Sequence, residues 1–154
     1  MSGADFLDTN IVAYAYDESK PQKQQLARQL LEGAVVGKVV ISTQVLAEFA
    51  AVMLHKVSPP ATVNAVVKAL DALASIRLIT PDAELVRRAV EAQSSYGIHF
   101  YDGMIVAAAE RAGCAGVDVL KHAGPIRPSA ASQKDERRRD LRDAVRSNAP
   151  YRRR

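Results

Sequence analysis

The hydrophobic positions of the chain alternate between short strand-like runs and longer helix-like segments. Three apolar runs end at polar residues and predict buried strands: ADFLD (4–8), KVVIS (38–42) and SIRLIT (75–80). A weaker fourth run is CAGVDV (114–119). Helical periodicity fills the intervals between these runs. Strands that alternate with helices predict a parallel sheet covered on both faces.

The helix-like segments carry start and stop signals of their own. The segment 80–97 has Thr80 as a predicted cap, Pro81 at the first helical position and Gly97 after the last turn. A mostly apolar helix is predicted to follow it over 99–114. The remaining helices are predicted at 10–19, at 21–33, at 42–56 and at 59–74, the last with prolines at its start.

Charge and composition divide the chain into two parts. The 154 residues are enough for one domain, which we place at 1–124. Residues 1–118 carry 10 Lys and Arg against 13 Asp and Glu, whereas residues 119–154 carry 11 against 4. The arginine-rich segment 125–154 has too few apolar residues to fold alone, so we predict a disordered basic tail. It either adds affinity for nucleic-acid phosphates or is a solvated extension, and we favour the extension.

Several classes of protein and site are disfavoured by composition. No long uncharged apolar run predicts a membrane span, and residues 1–5 do not resemble a signal peptide. The single cysteine, Cys114, excludes an intramolecular disulfide and a cysteine-rich zinc site, so we expect a cytoplasmic protein. Cys114 is interpreted as a packing residue. The histidines lack metal-ligand spacing and are interpreted as surface or packing residues: His55, His99 and His122.

Three acidic residues stand at positions where chemistry is expected. Asp8 ends the first predicted strand, where it either caps the next helix or joins a crevice at the carboxyl ends of the strands. Glu48 lies among apolar neighbours in its helix, and such an acid generally faces a cation, a metal ion or a hydrogen-bond donor. Asp102 falls in the first turn of an apolar helix, a position that the free helix amides alone would favour.

Acids gathered in one crevice repel each other unless they share protons or hold cations. Clustered carboxylates are ligands that suit Mg²⁺ or Mn²⁺. Such ions activate a water and stabilise the oxygens of a phosphodiester undergoing hydrolysis. The three acids therefore indicate metal-dependent phosphodiester hydrolysis.

Three segments stand out together: FLDTNIVAYAYD (6–17), VISTQVLAEFAAVM (40–53) and FYDGMIVAAAERAGC (100–114). They resemble the signature segments of PIN-domain ribonucleases, specifically the VapC-type toxins of type II toxin–antitoxin systems. Their order, spacing and flanking residues all agree with the family over about residues 4–115. The resemblance implies a three-layer α/β/α sandwich with a central parallel sheet. It also implies Mg²⁺- or Mn²⁺-dependent cleavage of RNA, a homodimer and a cognate antitoxin as partner.

Carried over residue by residue, the resemblance assigns roles to the acids. Asp8 and Asp102 match metal-ligating positions, and Glu48 matches the acid of the AEF segment. All three are expected to be catalytic.

Three polar residues are implied to support these acids. Thr9 and Asn10 match residues that hold the first aspartate by hydrogen bonding, although they could instead cap the next helix. Ser42 is expected beside the site and is equally explained as a helix cap.

The chain departs from the family after the third segment. Where the family commonly has a fourth acid this chain has Lys121, and Asp118, three positions earlier, would replace that acid only if the loop bends. A frameshift or pseudogene near residues 115–121 would explain both this departure and the arginine-rich tail. The nucleotide sequence tests this hypothesis, because the absence of a family-like ending in both other reading frames would refute it.

Two alternative functions remain open from the sequence. The missing fourth acid suggests a catalytically impaired PIN domain that only binds antitoxin or RNA. A receiver or haloacid-phosphatase-like phosphotransfer domain also uses an aspartate at a strand end. That alternative is disfavoured because DTN (8–10) lacks the second aspartate that such phosphatases place two residues on.

Overall fold

The computed structural model describes residues 3–114 and 116–118. The predicted basic tail, 125–154, lies outside the described residues, as do the last residues of the predicted domain 1–124. His122 and Lys121 also lie outside them.

Strands and helices alternate along the described chain as the hydrophobic pattern predicts. The strands are β1 (Asp5–Leu7), β2 (Val39–Ser42), β3 (Arg77–Ile79) and β4 (Gly116–Asp118). The helices are α1 (Thr9–Tyr16), α2 (Pro21–Glu32), α3 (Thr43–His55), α4 (Val63–Leu73), α5 (Ala83–Tyr96) and α6 (Phe100–Ala112). A 3-10 helix, Gly33–Val36, follows α2.

The four strands form a parallel sheet in the order β3-β2-β1-β4. Leu7 of β1 pairs with Asp118 of β4, and Ser42 of β2 pairs with Ile79 of β3. The weakest strand prediction, over 114–119, is therefore confirmed by a short strand. The order also differs from that of receiver domains, where β1 lies between β2 and β3.

The strand order places the helices in two layers. The chain moves in one direction from β1 to β2 to β3, and then reverses across the sheet to β4. Because crossovers between parallel strands are right-handed, α1 to α4 cover one face and α5 and α6 cover the other. The main helix pairings agree, since α1 packs on α2 and α3, α3 on α4, and α5 on α6. The predicted α/β class with a central parallel sheet is confirmed.

The core explains why α6 is apolar on nearly every side. Residues 103–109 of this helix are all buried, as a central helix requires. Gly103 allows α6 to approach α5 closely, because a Cβ atom there would lie 2.5 Å from the backbone oxygen of Ala89. The largest fully buried side chains, Tyr14, Phe6 and Phe49, come from β1 and the helices on the other face.

Two predicted helix starts are wrong. Helix α5 begins after Asp82, whose carboxylate accepts a hydrogen bond from the Leu85 amide at 2.9 Å, so Thr80 is not the cap. The side chain of Asp82 reaches the third helical amide, the usual acceptor position of a cap. Helix α4 begins after Thr62 rather than at the prolines, because the Thr62 hydroxyl accepts from the Ala65 amide. The predicted stop at Gly97 is confirmed by its positive φ of 62°.

Within the described part of the chain, no helix combines the length and the apolar character needed to cross a membrane. The expected cytoplasmic location stays a prediction.

Candidate active site

The sheet topology indicates the edge of the sheet at which a ligand-binding site is expected, the one formed by the carboxyl ends of the strands. The order in which strands are added reverses at β1, because β2 and β3 lie on one side of it and β4 on the other. In parallel sheets, ligands bind at the carboxyl ends of the strands where the strand order reverses in this way. Asp8 immediately follows β1, and Asp118 is the last residue of β4. The pairing of Leu7 with Asp118 brings the backbones of these two strand ends together.

Asp8 is buried at this edge, with 3% of its surface exposed. It is the N-cap of α1, and its Oδ1 accepts a hydrogen bond from the Thr9 amide at 2.6 Å. The capping interpretation is therefore confirmed, with the helix starting at Thr9. The positive end of the helix dipole stabilises the ionised carboxylate there.

Glu48 projects from α3 and is half-buried. Its Oε2 accepts a hydrogen bond from the Thr9 hydroxyl at 3.2 Å, and its Oε1 accepts one from Gln44 Nε2 at 2.6 Å. The expectation that this acid faces a donor is confirmed. Thr9 thus links the first acid to the second, because its amide contacts Asp8 while its hydroxyl contacts Glu48.

Gln44 contacts Glu48 and was not singled out by the sequence. Its Nε2 donates to Glu48 and also to the backbone oxygen of Tyr101, at 3.2 Å. A signal was available, since Gln44 and Glu48 are four residues apart and so share one face of α3. The contact with Tyr101 was not accessible from the sequence because 57 residues separate the two positions.

Asp102 lies in the first turn of α6 and is half-buried. The cap of this helix is His99, whose side chain accepts from the Tyr101 amide. Since Tyr101 contacts Gln44, the start of α6 lies at the same edge as Glu48. The structure therefore brings Asp8, Glu48 and the helix turn that carries Asp102 to one edge of the sheet.

The polar residues expected to support the acids differ in their contacts. Ser42 is fully buried and caps α3 by accepting from the Val45 amide at 3.3 Å. Asn10 is also buried, and its Nδ2 finds no hydrogen-bond partner among the described residues. The cap role of Ser42 is confirmed, whereas direct roles of Asn10 and Ser42 in a site stay predictions.

The potential metal-ligating side chains at this edge fit a divalent cation only in part. Among residues 3–114 and 116–118, no three His, Cys, Asp or Glu side chains are grouped closely enough to hold a metal ion. Mg²⁺ usually binds through one or two carboxylates and keeps several waters, so it does not require an all-protein cage. Asp8 and Asp102 carry the carboxylate oxygens that such a partial site would need, and their role as metal ligands stays a prediction.

The remaining candidates carry no chemistry at this edge. Cys114 is half-buried, and burial raises the pKa of its thiol to about 11, which keeps it protonated and unreactive. His55 is exposed at the last turn of α3, and His99 is exposed as a helix cap.

The chain resembles known proteins in sequence pattern and in fold. Residues 6–123 match the PIN domain family. No curated protein matches the chain in sequence. A toxin–antitoxin complex from Klebsiella pneumoniae contains a similar fold, with a TM-score of 0.56, 18% identity, and coverage of 74% of this chain and 83% of that chain. VapC20 of Mycobacterium tuberculosis, a toxin that cleaves the sarcin–ricin loop, has a TM-score of 0.63 and 20% identity, with coverage of 81% and 100%.

Proposed function

Because the chain belongs to the PIN domain family, we propose that it is a metal-dependent endoribonuclease that hydrolyses RNA phosphodiester bonds. The observation that carries the proposal is the continuous set of hydrogen bonds from Asp8 through Thr9, Glu48 and Gln44 to the start of α6. These contacts hold acids from different helices at the carboxyl edge of a parallel sheet, where such folds bind their ligands.

The proposed biological role is that of a VapC-type toxin with a cognate antitoxin as partner. Support comes from the two similar folds, one in a toxin–antitoxin complex and the other in a toxin that cleaves the sarcin–ricin loop. We further propose a homodimer, as the sequence resemblance implies.

In the proposed mechanism, Asp8 and Asp102 would hold Mg²⁺ or Mn²⁺, and Glu48 would be the third carboxylate of the catalytic site. The bound ion would supply an activated water and offset the negative charge that develops on the phosphate. Thr9 keeps the Glu48 carboxylate beside Asp8 through its hydroxyl. Burial of Asp8 removes water from around it, which strengthens its attraction for a cation.

Asp118 is proposed as the fourth acid in place of the one that the family carries further along. The support is the pairing of Leu7 with Asp118, which sets the backbone of Asp118 at the end of β4 beside the strand that precedes Asp8. Position and residue type both suit a ligand at this edge. The frameshift hypothesis remains a separate question for the gene sequence.

The experiment is cleavage of a mixed RNA pool by the full-length protein with Mg²⁺ or Mn²⁺. We expect cleavage that EDTA abolishes and that the Asp8→Asn variant lacks. The matched control is Asp71→Asn, which removes an exposed aspartate of α4 and should cleave like the wild type. Cleavage that persists in EDTA or in Asp8→Asn would refute the proposal, and Asp118→Asn tests the fourth acid alone.

A catalytically impaired PIN domain is the second candidate function. It is favoured by the lack, within the described residues, of any group of three potential metal ligands. Such a protein would bind RNA or antitoxin without cutting RNA. Folded wild-type protein that retains labelled RNA on a filter but leaves it intact with either metal would support this candidate over the nuclease.

A further inference from the structure

Gln44 joins the two helix layers at the candidate site. It lies on α3, on one face of the sheet, whereas its partner Tyr101 lies on α6, on the other face. One amide nitrogen serves both contacts, at 2.6 Å to Glu48 Oε1 and 3.2 Å to the Tyr101 backbone oxygen. The side chain therefore connects the two helix layers and contacts a residue adjacent to Asp102.

The orientation of the Gln44 amide is fixed by chemistry. Both partners are acceptors, a carboxylate and a carbonyl, so only the NH₂ group can face them. The amide oxygen then points elsewhere, and it is buried with no hydrogen-bond partner among the described residues. A buried acceptor without a partner destabilises a fold, so stability does not explain the presence of Gln44 here.

We propose that Gln44 is a positioning residue that sets the distance between Glu48 and Asp102 across the two helix layers. This inference rests on the proposed function, since it assigns Gln44 to the same acidic site. The two hydrogen bonds orient the Glu48 carboxylate and hold the first turn of α6 against α3. Residues that orient metal-site acids in this way act on metal affinity and turnover without contacting the substrate.

The variant Gln44→Met tests the proposal because it keeps the length and helix propensity of the side chain while removing its polar atoms. We expect the Mn²⁺ dissociation constant of the full-length protein to rise about 10- to 100-fold. We expect kcat for RNA cleavage to fall by a similar factor, with KM little changed. The thermal midpoint should stay level or rise, because the variant also removes the buried unpartnered oxygen.

A purely structural role predicts the opposite result for Gln44→Met. The thermal midpoint would then fall while Mn²⁺ affinity and kcat stayed at the wild-type level, and that outcome overturns the inference. The matched control is Gln24→Met, because Gln24 is also half-buried on a helix and donates to a backbone oxygen, that of Ala15, at 3.4 Å. Gln24→Met should leave Mn²⁺ affinity and kcat unchanged.

A double-mutant cycle with Glu48→Gln separates a positioning effect from an independent one. Because Gln44 acts in part through Glu48, Gln44→Met should cause a smaller loss of Mn²⁺ affinity in the Glu48→Gln background than in the wild type. Fully additive losses would overturn the inference while leaving the proposed function intact. Wild-type protein that neither binds Mn²⁺ nor cleaves RNA would overturn both.

Discussion

Two helical glutamates of the molecule have opposite surroundings. Glu110 on α6 is held by Arg88, whose Nε and Nη2 donate to its two oxygens at 2.8 and 2.9 Å. Glu48 on α3 is held by a hydroxyl and an amide, from Thr9 and Gln44. Within the described part of the chain, Glu48 forms no ion pair.

The difference in hydrogen-bond donors distinguishes Glu110, a structural carboxylate, from Glu48, a candidate functional one. The bidentate arginine neutralises Glu110, and the same hydrogen bond raises the pKa of Arg88. Neutral donors orient the half-buried Glu48 without cancelling its charge, and the nearby buried Asp8 adds a second acid at the same edge. Such an arrangement favours binding of an external cation, which is the basis of the proposed metal site.

The comparison predicts the largest effect for Glu48→Gln. The amide keeps the size of the side chain but removes the charge that attracts a divalent cation. We expect RNA cleavage to fall about 100-fold while the thermal midpoint stays close to that of the wild type. The check is the initial cleavage rate at saturating Mg²⁺ together with thermal unfolding, and a rate within threefold of wild type would contradict the account.

Gly103 determines how closely α6, the helix that carries both Asp102 and Glu110, packs against α5. A Cβ atom at this position would lie 2.5 Å from the Ala89 backbone oxygen, so Gly103→Ala must push α6 away from α5. We expect a loss of about 1–3 kcal/mol in the free energy of unfolding, measured by urea denaturation.

The control for Gly103→Ala is Gly33→Ala, at a glycine with a helical φ of −60°. There the added Cβ would meet a side-chain methyl group of Val39 at 3.2 Å, which can move more easily than backbone. We expect a change within about 1 kcal/mol in either direction. Equal losses in the two variants would show that close packing of α6 is not what Gly103 provides.

The variant Glu110→Gln tests whether the carboxylate of Glu110 contributes to stability and not to cleavage. Its ion pair with Arg88 is partly solvated, with side-chain exposures of 35% for Arg88 and 32% for Glu110. Removing the charge should cost about 0.2–1 kcal/mol of stability and leave cleavage unchanged, as measured by denaturation and by the RNA assay. A large loss of cleavage in this variant would remove the distinction between the two glutamates.

The smallest expected effect concerns Asp82, which Arg111 contacts at 2.8 Å. The hydrogen bond from Arg111, with that from the Leu85 amide, lowers the pKa of Asp82. A lowered pKa stabilises the fold above the unfolded value of about 3.9, and the benefit disappears as the pH falls through the folded pKa. The variant Asp82→Asn keeps the helix cap, so its melting-point difference from wild type should be small at neutral pH.

That difference between Asp82→Asn and wild type should shrink further on acidification. Thermal midpoints measured from neutral pH to about pH 3 provide the check. A difference that grows as the pH falls would show that the contact with Arg111 does not stabilise the ionised form of Asp82.

The strand and helix pattern was predictable because each element carries a local signal. Short apolar runs identified the four strands of the described residues, including the weak run at 114–119, and glycine marked the end of α5. The prediction that the run at 75–80 is buried was wrong, because β3 lies at the outer side of the described sheet with Arg77 exposed. The start of α5 was wrong because Thr80 and Asp82 both suit a cap, and only the tertiary contact of Asp82 with Arg111 distinguishes them. The resemblance to PIN domains is confirmed by the family match.

The candidate site was predictable only in part. Asp8 and Ser42 were recognisable as helix caps from their positions after strands, and both caps are present. The role of Gln44 depends on a contact between α3 and α6 that no local pattern encodes. Likewise, the placement of Asp118 beside β1 depends on strand order and register, which tertiary packing determines.

Calorimetric titration of Mn²⁺ into the full-length protein shows whether acids at the carboxyl edge of the sheet hold a divalent cation, as we propose. The account predicts saturable binding by wild type and Glu110→Gln, and binding at least about 10-fold weaker by Asp8→Asn. Equal Mn²⁺ affinity in wild type and Asp8→Asn would contradict it, because the buried aspartate after β1 would then not be a ligand.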